Sequence, residues 1–335
     1  MLLHPGVIAL VIGSGIVLLL ILFASATGIR IINRWDIKSS SEEQLDLERK
    51  TYLISTLVQY TLLFEIISLF LFIYTADDMH NILAGAMCAT GSFNANPYGF
   101  PALYVKVISL FISAAWIAVN YIDNKAQDYP LIRMKYKLLL FILPLVLSEY
   151  ILEIMDFRGI DPNVITSCCG VLFSEGGIGI ASSLASIPVV PMVIIFYSLF
   201  AIVIVSGISV IRSGSKFYTI FFALVSGIFF IVSIASVISF ISLYFYQLPS
   251  HHCPFDMLQA EYYYTGYPLY FSLFMGSFFG MMTGIIELFK HIPSLSSVIR
   301  LIQRKWALIA VCSFALFVAI TLIPIIFLPF SLRGY

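Results

Sequence analysis

Cys88, Cys168, Cys169 and Cys253 stand in three polar segments of an otherwise apolar chain, in the contexts AMCATG, TSCCGV and HHCPFD. A fifth cysteine, Cys312, falls inside a long apolar run. Thiols placed in this way support three chemistries. The first is structural: two disulfides tie the segments together, for example with Cys168 or Cys169 reaching Cys88 and the other reaching Cys253. Four cysteines allow three connectivities, and spacing does not choose among them. The second is redox. Cys168 and Cys169 can close on each other only as a strained, labile vicinal bond, and Cys253 follows His251 and His252, whose imidazolium forms favour a thiolate. The C-x-x-C spacing typical of thiol oxidoreductases is absent. The third is metal binding, because Met87, Cys88, His251, His252 and Cys253 offer sulfur and imidazole donors that suit a thiophilic ion such as copper or zinc. Adjacent residues of an extended chain point apart, so His251, His252 and Cys253 reach one ion only with help from another segment.

A second set of reactive side chains interrupts the apolar runs themselves. Glu65 lies in LLFEIISLF, Glu149 and Glu153 lie one turn apart in LSEYILEIM, and Lys106 enters the run that starts near residue 101. An ionised group at the centre of a spanning helix costs roughly 2.5–3.5 kcal/mol on insertion scales, so such residues face a protein interior or a wet cavity. The expectation is an outward-facing polar pocket in which Lys106 pairs with a glutamate while the other acids move protons or hold a cation. The plainer alternative is an ion pair that fixes helix packing.

The elements that must carry these residues are membrane-spanning helices. Of the 335 residues, 60% are hydrophobic and only 11% charged, and the mean hydropathy is +0.99, far from the soluble norm of about 25% charged. Unbroken apolar runs cover about 6–27, 52–75, 101–121, 137–155, 189–211, 217–243, 267–289 and 306–330. Runs of this length without period-2 alternation predict helices, not barrel strands. The predicted fold is therefore an all-α integral membrane protein, one polytopic domain over 1–335 with about eight transmembrane helices.

Orientation follows from positive charge, which is retained on the cytoplasmic side. Fifteen of the eighteen Lys and Arg residues fall in one alternating set of connections: Arg30 to Lys50, Lys125 to Lys137, Arg212 with Lys216, and Lys290 to Lys305. The other set, 76–100, 156–188 and 244–266, carries the four cysteines. Both termini and these three loops are thus expected to be extracytoplasmic, in the oxidising compartment of a bacterial or archaeal plasma membrane.

Several segments admit two readings. The first run ends FASATG, like a signal-peptidase site, but MLLHPG lacks a basic n-region, so an uncleaved first helix is expected. The stretch 39–51 reads as a solvated charged loop end, with a Ser-capped helix entering the second span as the alternative. GGIGIASSLASIP, 176–188, reads as a re-entrant segment or an ordinary loop. Tyr262, Tyr263, Tyr264, Tyr267 and Tyr270 suit interface anchors, or a stacking platform for a quinone. NANPYGFP, 94–101, reads as a tight turn capping the third span and as a wall of the histidine pocket.

Other function classes find no support. There is no Walker loop, G-x-S-x-G elbow or H-E-x-x-H pair, no C-x-x-C-H for c-type haem, no histidine within a span interior for b-type haem, and no basic run for nucleic acid. The reading that follows is an extracytoplasmic redox or metal-handling membrane protein built on Cys88, Cys168, Cys169, Cys253, His251 and His252, with Glu65, Lys106, Glu149 and Glu153 as a polar floor. The alternatives are a transporter or permease component working at the intramembrane acids, with structural disulfides, and a ligand-sensing receptor. The bilayer is the expected partner, with further membrane or extracytoplasmic subunits.

Overall fold

A computed structural model describes residues 3–37, 39, 41–161, 180–330 and 332. It is all-helical, with no strand among the described residues. Eight helices are long and apolar enough to cross a membrane: α1 Pro5–Arg34, α2 Glu42–Asn81, α3 Gly99–Asp123, α4 Ile132–Gly159, α5 Val189–Ser213, α6 Lys216–Tyr246, α7 Gly266–Phe289 and α8 Ser296–Phe327. Each exceeds the roughly 20 residues that a bilayer requires. Their outward faces carry exposed Leu19, Phe141, Val205, Leu224 and Ile231. Large apolar side chains exposed in such numbers require lipid, not water, as the surrounding solvent.

Several helices run beyond the apolar stretches that announce them. Residues 42–51, read from sequence as a solvated loop end, are the first turns of α2. The Ser41 hydroxyl accepts the Gln44 amide at 3.3 Å, and Gln44 in turn accepts the Asp36 amide at 3.1 Å. Ser41 is thus a side-chain N-cap, while Gln44 reaches past it to Asp36 and the Ser41 amide donates to Ser39, so the reciprocal bond of a capping box is not made. Likewise α8 begins at Ser296 and carries Arg300, Arg304 and Lys305 within the helix. Of the 176–188 segment, Ile180–Ala185 is a short helix, while 176–179 lie outside the described residues.

The helices gather into two compact units. Unit 1 comprises Met1–Ile82, Ser92–Val164 and Ile292–Leu295; unit 2 comprises Leu83–Gly91, Ile165–His291 and Ser296–Tyr335. In unit 1, α1 packs on α2, α2 on α3, α3 on α4 and α4 back on α1. Consecutive membrane-crossing helices run in alternate directions, so the ring is an up-down four-helix bundle. Unit 2 repeats this order, with α5 on α6, α6 on α7, α7 on α8 and α8 on α5.

The two interiors differ in composition. Unit 2 is filled by aromatic rings: Phe229 stands 5.1 Å from Phe314, 5.5 Å from Phe196 and 6.3 Å from Phe317. Gly276 and Gly280 let α7 approach its neighbours. A Cβ at Gly280 would stand 2.3 Å from the Ser226 hydroxyl on α6, and one at Gly276 2.7 Å from the Phe314 ring on α8. Small residues at such crossings are how membrane helices gain close contact. Unit 1 instead buries Lys106, Lys135, Asp123, Glu65, Glu149, Glu153 and Asp156.

α6 is not regular to its end. Val237–Ile241 forms a π turn before the chain resumes as Ser242–Tyr246. Gln247, in the left-handed region at φ 53°, then ends the helix. Such turns shift the backbone pairing by a residue and recur at functional sites.

Candidate functional site

The cysteine chemistry of unit 2 collects where α6 ends and α7 begins, the end of that bundle opposite Arg212, Lys216 and Lys290. The connection 247–265 is pinned by two tyrosines. Tyr246 donates its hydroxyl to the Cys253 carbonyl at 2.7 Å and accepts the Met257 amide at 3.0 Å. Tyr270, from α7, donates to the Pro254 carbonyl at 2.6 Å. Residues 83–91 are tied to it by Gln259, whose amide donates to the Met87 carbonyl at 2.9 Å.

This framework sets Cys88 Sγ 3.4 Å from Cys253 Sγ, and both residues are buried. The separation is contact distance, against about 2.05 Å for a disulfide bond, so these two sulfurs are not bonded to each other. Asp256 completes the group: one donor atom each from Cys88, Cys253 and Asp256 lies within 4.8 Å of the others. The Cys253 sulfur also meets the Thr90 hydroxyl at 3.4 Å and accepts the Phe255 amide at 3.4 Å. His251 Nε2 is hydrogen-bonded to Asp256 Oδ2, while Asp256 Oδ1 is buried with no hydrogen-bond partner among the described residues. Hydrogen bonding to Asp256 raises His251 above the ordinary imidazole value, and burial pushes the Asp256 carboxyl upward. The arrangement is two sulfurs and an acceptor oxygen facing one point, with an imidazole steadying the carboxylate from behind.

The residues expected from sequence fare differently. Cys88 and Cys253 meet. His252 turns the other way, its Nδ1 2.8 Å from the Ile238 carbonyl in the π turn of α6. Its neighbour His251 reaches the site through Asp256, as alternation along an extended chain requires. Met87 is 64% exposed, and it is its carbonyl that is engaged. Cys168 and Cys169 lie outside the described residues, and with them the disulfide and vicinal-pair expectations that name them. Cys312 is exposed on α8. Asp256 was not singled out in the sequence; the available signal was its place three residues after Cys253, on the 3-10 turn Asp256–Leu258.

Among the expected interface tyrosines, Tyr270 and Tyr262 work inward, Tyr262 standing 4.8 Å edge-on from Tyr246, while Tyr263 is almost fully exposed. NANPYGFP acts in unit 1: Asn96 donates to the Asp156 carboxylate at 2.8 Å and accepts the Tyr98 amide at 2.8 Å. It therefore closes over α4.

Unit 1 holds the polar floor, with one side chain or more from each of its four helices. Lys106 Nζ on α3 lies 2.6 Å from Glu149 Oε1 and 3.0 Å from Glu153 Oε2 on α4, and 3.2 Å from the Ser68 hydroxyl on α2. Ser14 on α1 donates to Glu153 at 3.2 Å. Glu65 on α2 brings its carboxyl beside Glu149. Lys106 is 1% exposed and Glu65 3%, so the cluster is enclosed by the four helices that supply it. Nearer the other end of the bundle, Lys135 pairs with Asp123 at 3.0 Å and Asp123 accepts the Leu131 amide at 2.8 Å, which clasps the α3–α4 connection. Comparison with family models, with curated proteins and with solved structures finds no match to this chain.

Proposed function

We propose that this membrane protein handles a thiophilic metal ion on the extracytoplasmic face, holding it on Cys88, Cys253 and Asp256. The observation that carries the reading is the convergence of these three buried donor atoms within 4.8 Å of one another. The buried Asp256 Oδ1, without a hydrogen-bond partner among the described residues, supports it, because such an atom costs about 1–3 kcal/mol unless something binds it. Two thiolates and a carboxylate suit zinc, a borderline ion, better than copper(I), which favours sulfur alone. His251 supplies the outer hydrogen bond that fixes a ligating group. The extracytoplasmic assignment rests on positive charge, since Arg212, Lys216 and Lys290 gather at the opposite end of unit 2.

The test is metal content of the full chain purified under reducing conditions and equilibrated with zinc. About one equivalent should bind, and Cys253→Ser and Asp256→Asn should each lose it while the helical content stays unchanged. Absence of bound zinc in the wild-type chain would overturn the reading.

A second reading is favoured by the 3.4 Å sulfur contact: Cys88 and Cys253 act as a dithiol that exchanges with the disulfide of a partner. Cys88 and Cys253 become joined, and the partner leaves as a dithiol carrying the two electrons and two protons. Mass spectrometry that finds Cys88 linked to Cys253 in metal-free protein would select this alternative.

A further inference from the structure

The carboxyl groups of unit 1 outnumber what their partners satisfy. Among the described residues Lys106 is the single ammonium in contact with Glu149 and Glu153; Ser14 donates a neutral hydrogen bond to Glu153, while the Ser68 hydroxyl accepts from Lys106. Glu149 uses Oε1 on Lys106, while its Oε2 is buried without a hydrogen-bond donor among the described residues. Both oxygens of Glu65 are likewise buried without a hydroxyl, amide or ammonium donor among the described residues. The Glu65 and Glu149 carboxyls thus lie against each other in the interior of a lipid-surrounded bundle, close enough for one to hydrogen-bond the other. With every group ionised, Glu65, Glu149, Glu153 and Lys106 would hold a net charge of −2 in a medium that strongly penalises uncompensated charge.

A third feature gives this cluster a direction. Glu149, Glu153 and Asp156 occupy positions i, i+4 and i+7 of α4, one face of the helix. Asp156, also buried, lies one turn from the helix end and is held by Asn96 of the turn before α3. Acids are therefore spaced one turn apart from the Lys106 layer to the end of α4.

We propose that Glu65 carries an exchangeable proton shared with Glu149, and that the Glu149–Glu153–Asp156 face of α4 is the route by which it reaches the aqueous end of unit 1. The proton hops from the Glu65 carboxyl to the Glu149 carboxylate, onward to Glu153 and then Asp156, each acceptor becoming the next donor, and Lys106 stays an ammonium throughout. A proton fits better than a metal cation because Lys106 already occupies the inner edges of Glu149 and Glu153 and would repel a second fixed positive charge. This site is independent of the cysteine site, and neither reading depends on the other.

Infrared difference spectroscopy on the full chain in lipid nanodiscs tests it. At neutral pH the wild type should show a protonated-carboxyl C=O band that shifts promptly in D2O. Glu65→Gln should lose the band, Glu65→Asp should retain a displaced one, and Asp156→Asn should keep it but slow the D2O shift at least tenfold. The proposal is overturned if the wild type shows no such band, if the band survives Glu65→Gln, or if it resists D2O for as long as the backbone of α2 does. Loss of the band on adding sodium at constant pH would assign the site to a metal cation and overturn it equally. The wild-type measurement decides the matter even if Glu65→Gln does not fold.

Discussion

Lys106 and Glu65 share one buried layer but have opposite dependence on their surroundings. Lys106→Met leaves Glu149 and Glu153 without their cation, and breaking a buried pair from one side costs about 3–5 kcal/mol. Its midpoint in a denaturant titration should fall accordingly. Glu65→Gln removes a carboxyl that contacts no cation among the described residues and keeps a donor toward Glu149, so it should leave that midpoint within about 1 kcal/mol of wild type. At the cysteine site, His251→Ala removes the group that orients Asp256 and should weaken zinc binding by about 10–100-fold in a chelator competition. The two sites differ in how far the sequence reveals them. A glutamate or lysine inside LLFEIISLF or its like is conspicuous, because nothing else in the run is charged. Ser14, which donates to Glu153, is as unremarkable as any membrane serine. Asp256 sits in a polar loop, where one more acid carries no signal until the turn at Asp256–Leu258 folds it toward Cys253.

The helices are legible wherever lipid imposes hydropathy and obscure where water replaces it. All eight apolar runs became helices, yet the first turns of α2 and α8 lie outside the apolar stretches, where only caps and charges mark them. Ser41→Ala should cost about 1 kcal/mol, read as fraying of residues 42–51 in hydrogen exchange. The α6–α7 crossing is stricter. Gly280→Val would drive a methyl group into Ser226, already 2.3 Å from the position of a Cβ, and should destabilise by about 1–3 kcal/mol. Gly227→Ala on α6, which meets its nearest neighbour Met281 at 3.4 Å, should be tolerated in the same thermal assay. Which helices touch was not written in the runs, because one apolar face resembles another. Short connections supplied that information by making consecutive helices neighbours.

Across the whole chain, acids and bases are distributed unevenly between the units. The spans of unit 2 confine theirs to helix ends, at Arg212, Lys216, Glu287 and the first turns of α8, whereas those of unit 1 place several in the interior. The orientation drawn from Lys and Arg predicts that a cysteine at Tyr263 reacts with an impermeant maleimide added to intact cells, and that one at Glu42 does so only after permeabilisation; both positions are exposed. The reverse result would place the thiol site in the cytosol and remove the compartment argument for it. The depth of the Lys106 cluster has a further consequence. Lys106 lies seven residues inside α3, about 10 Å at about 1.5 Å per residue, or about a third of a hydrocarbon core of about 30 Å. A charge moving that far crosses a corresponding share of the transmembrane voltage, about 0.8 kcal/mol per 100 mV at about 2.3 kcal/mol for the full span. If Glu65 exchanges its proton as proposed, the electrical state of the cell weights how often it is charged, and the Lys106 cluster is where such a field acts.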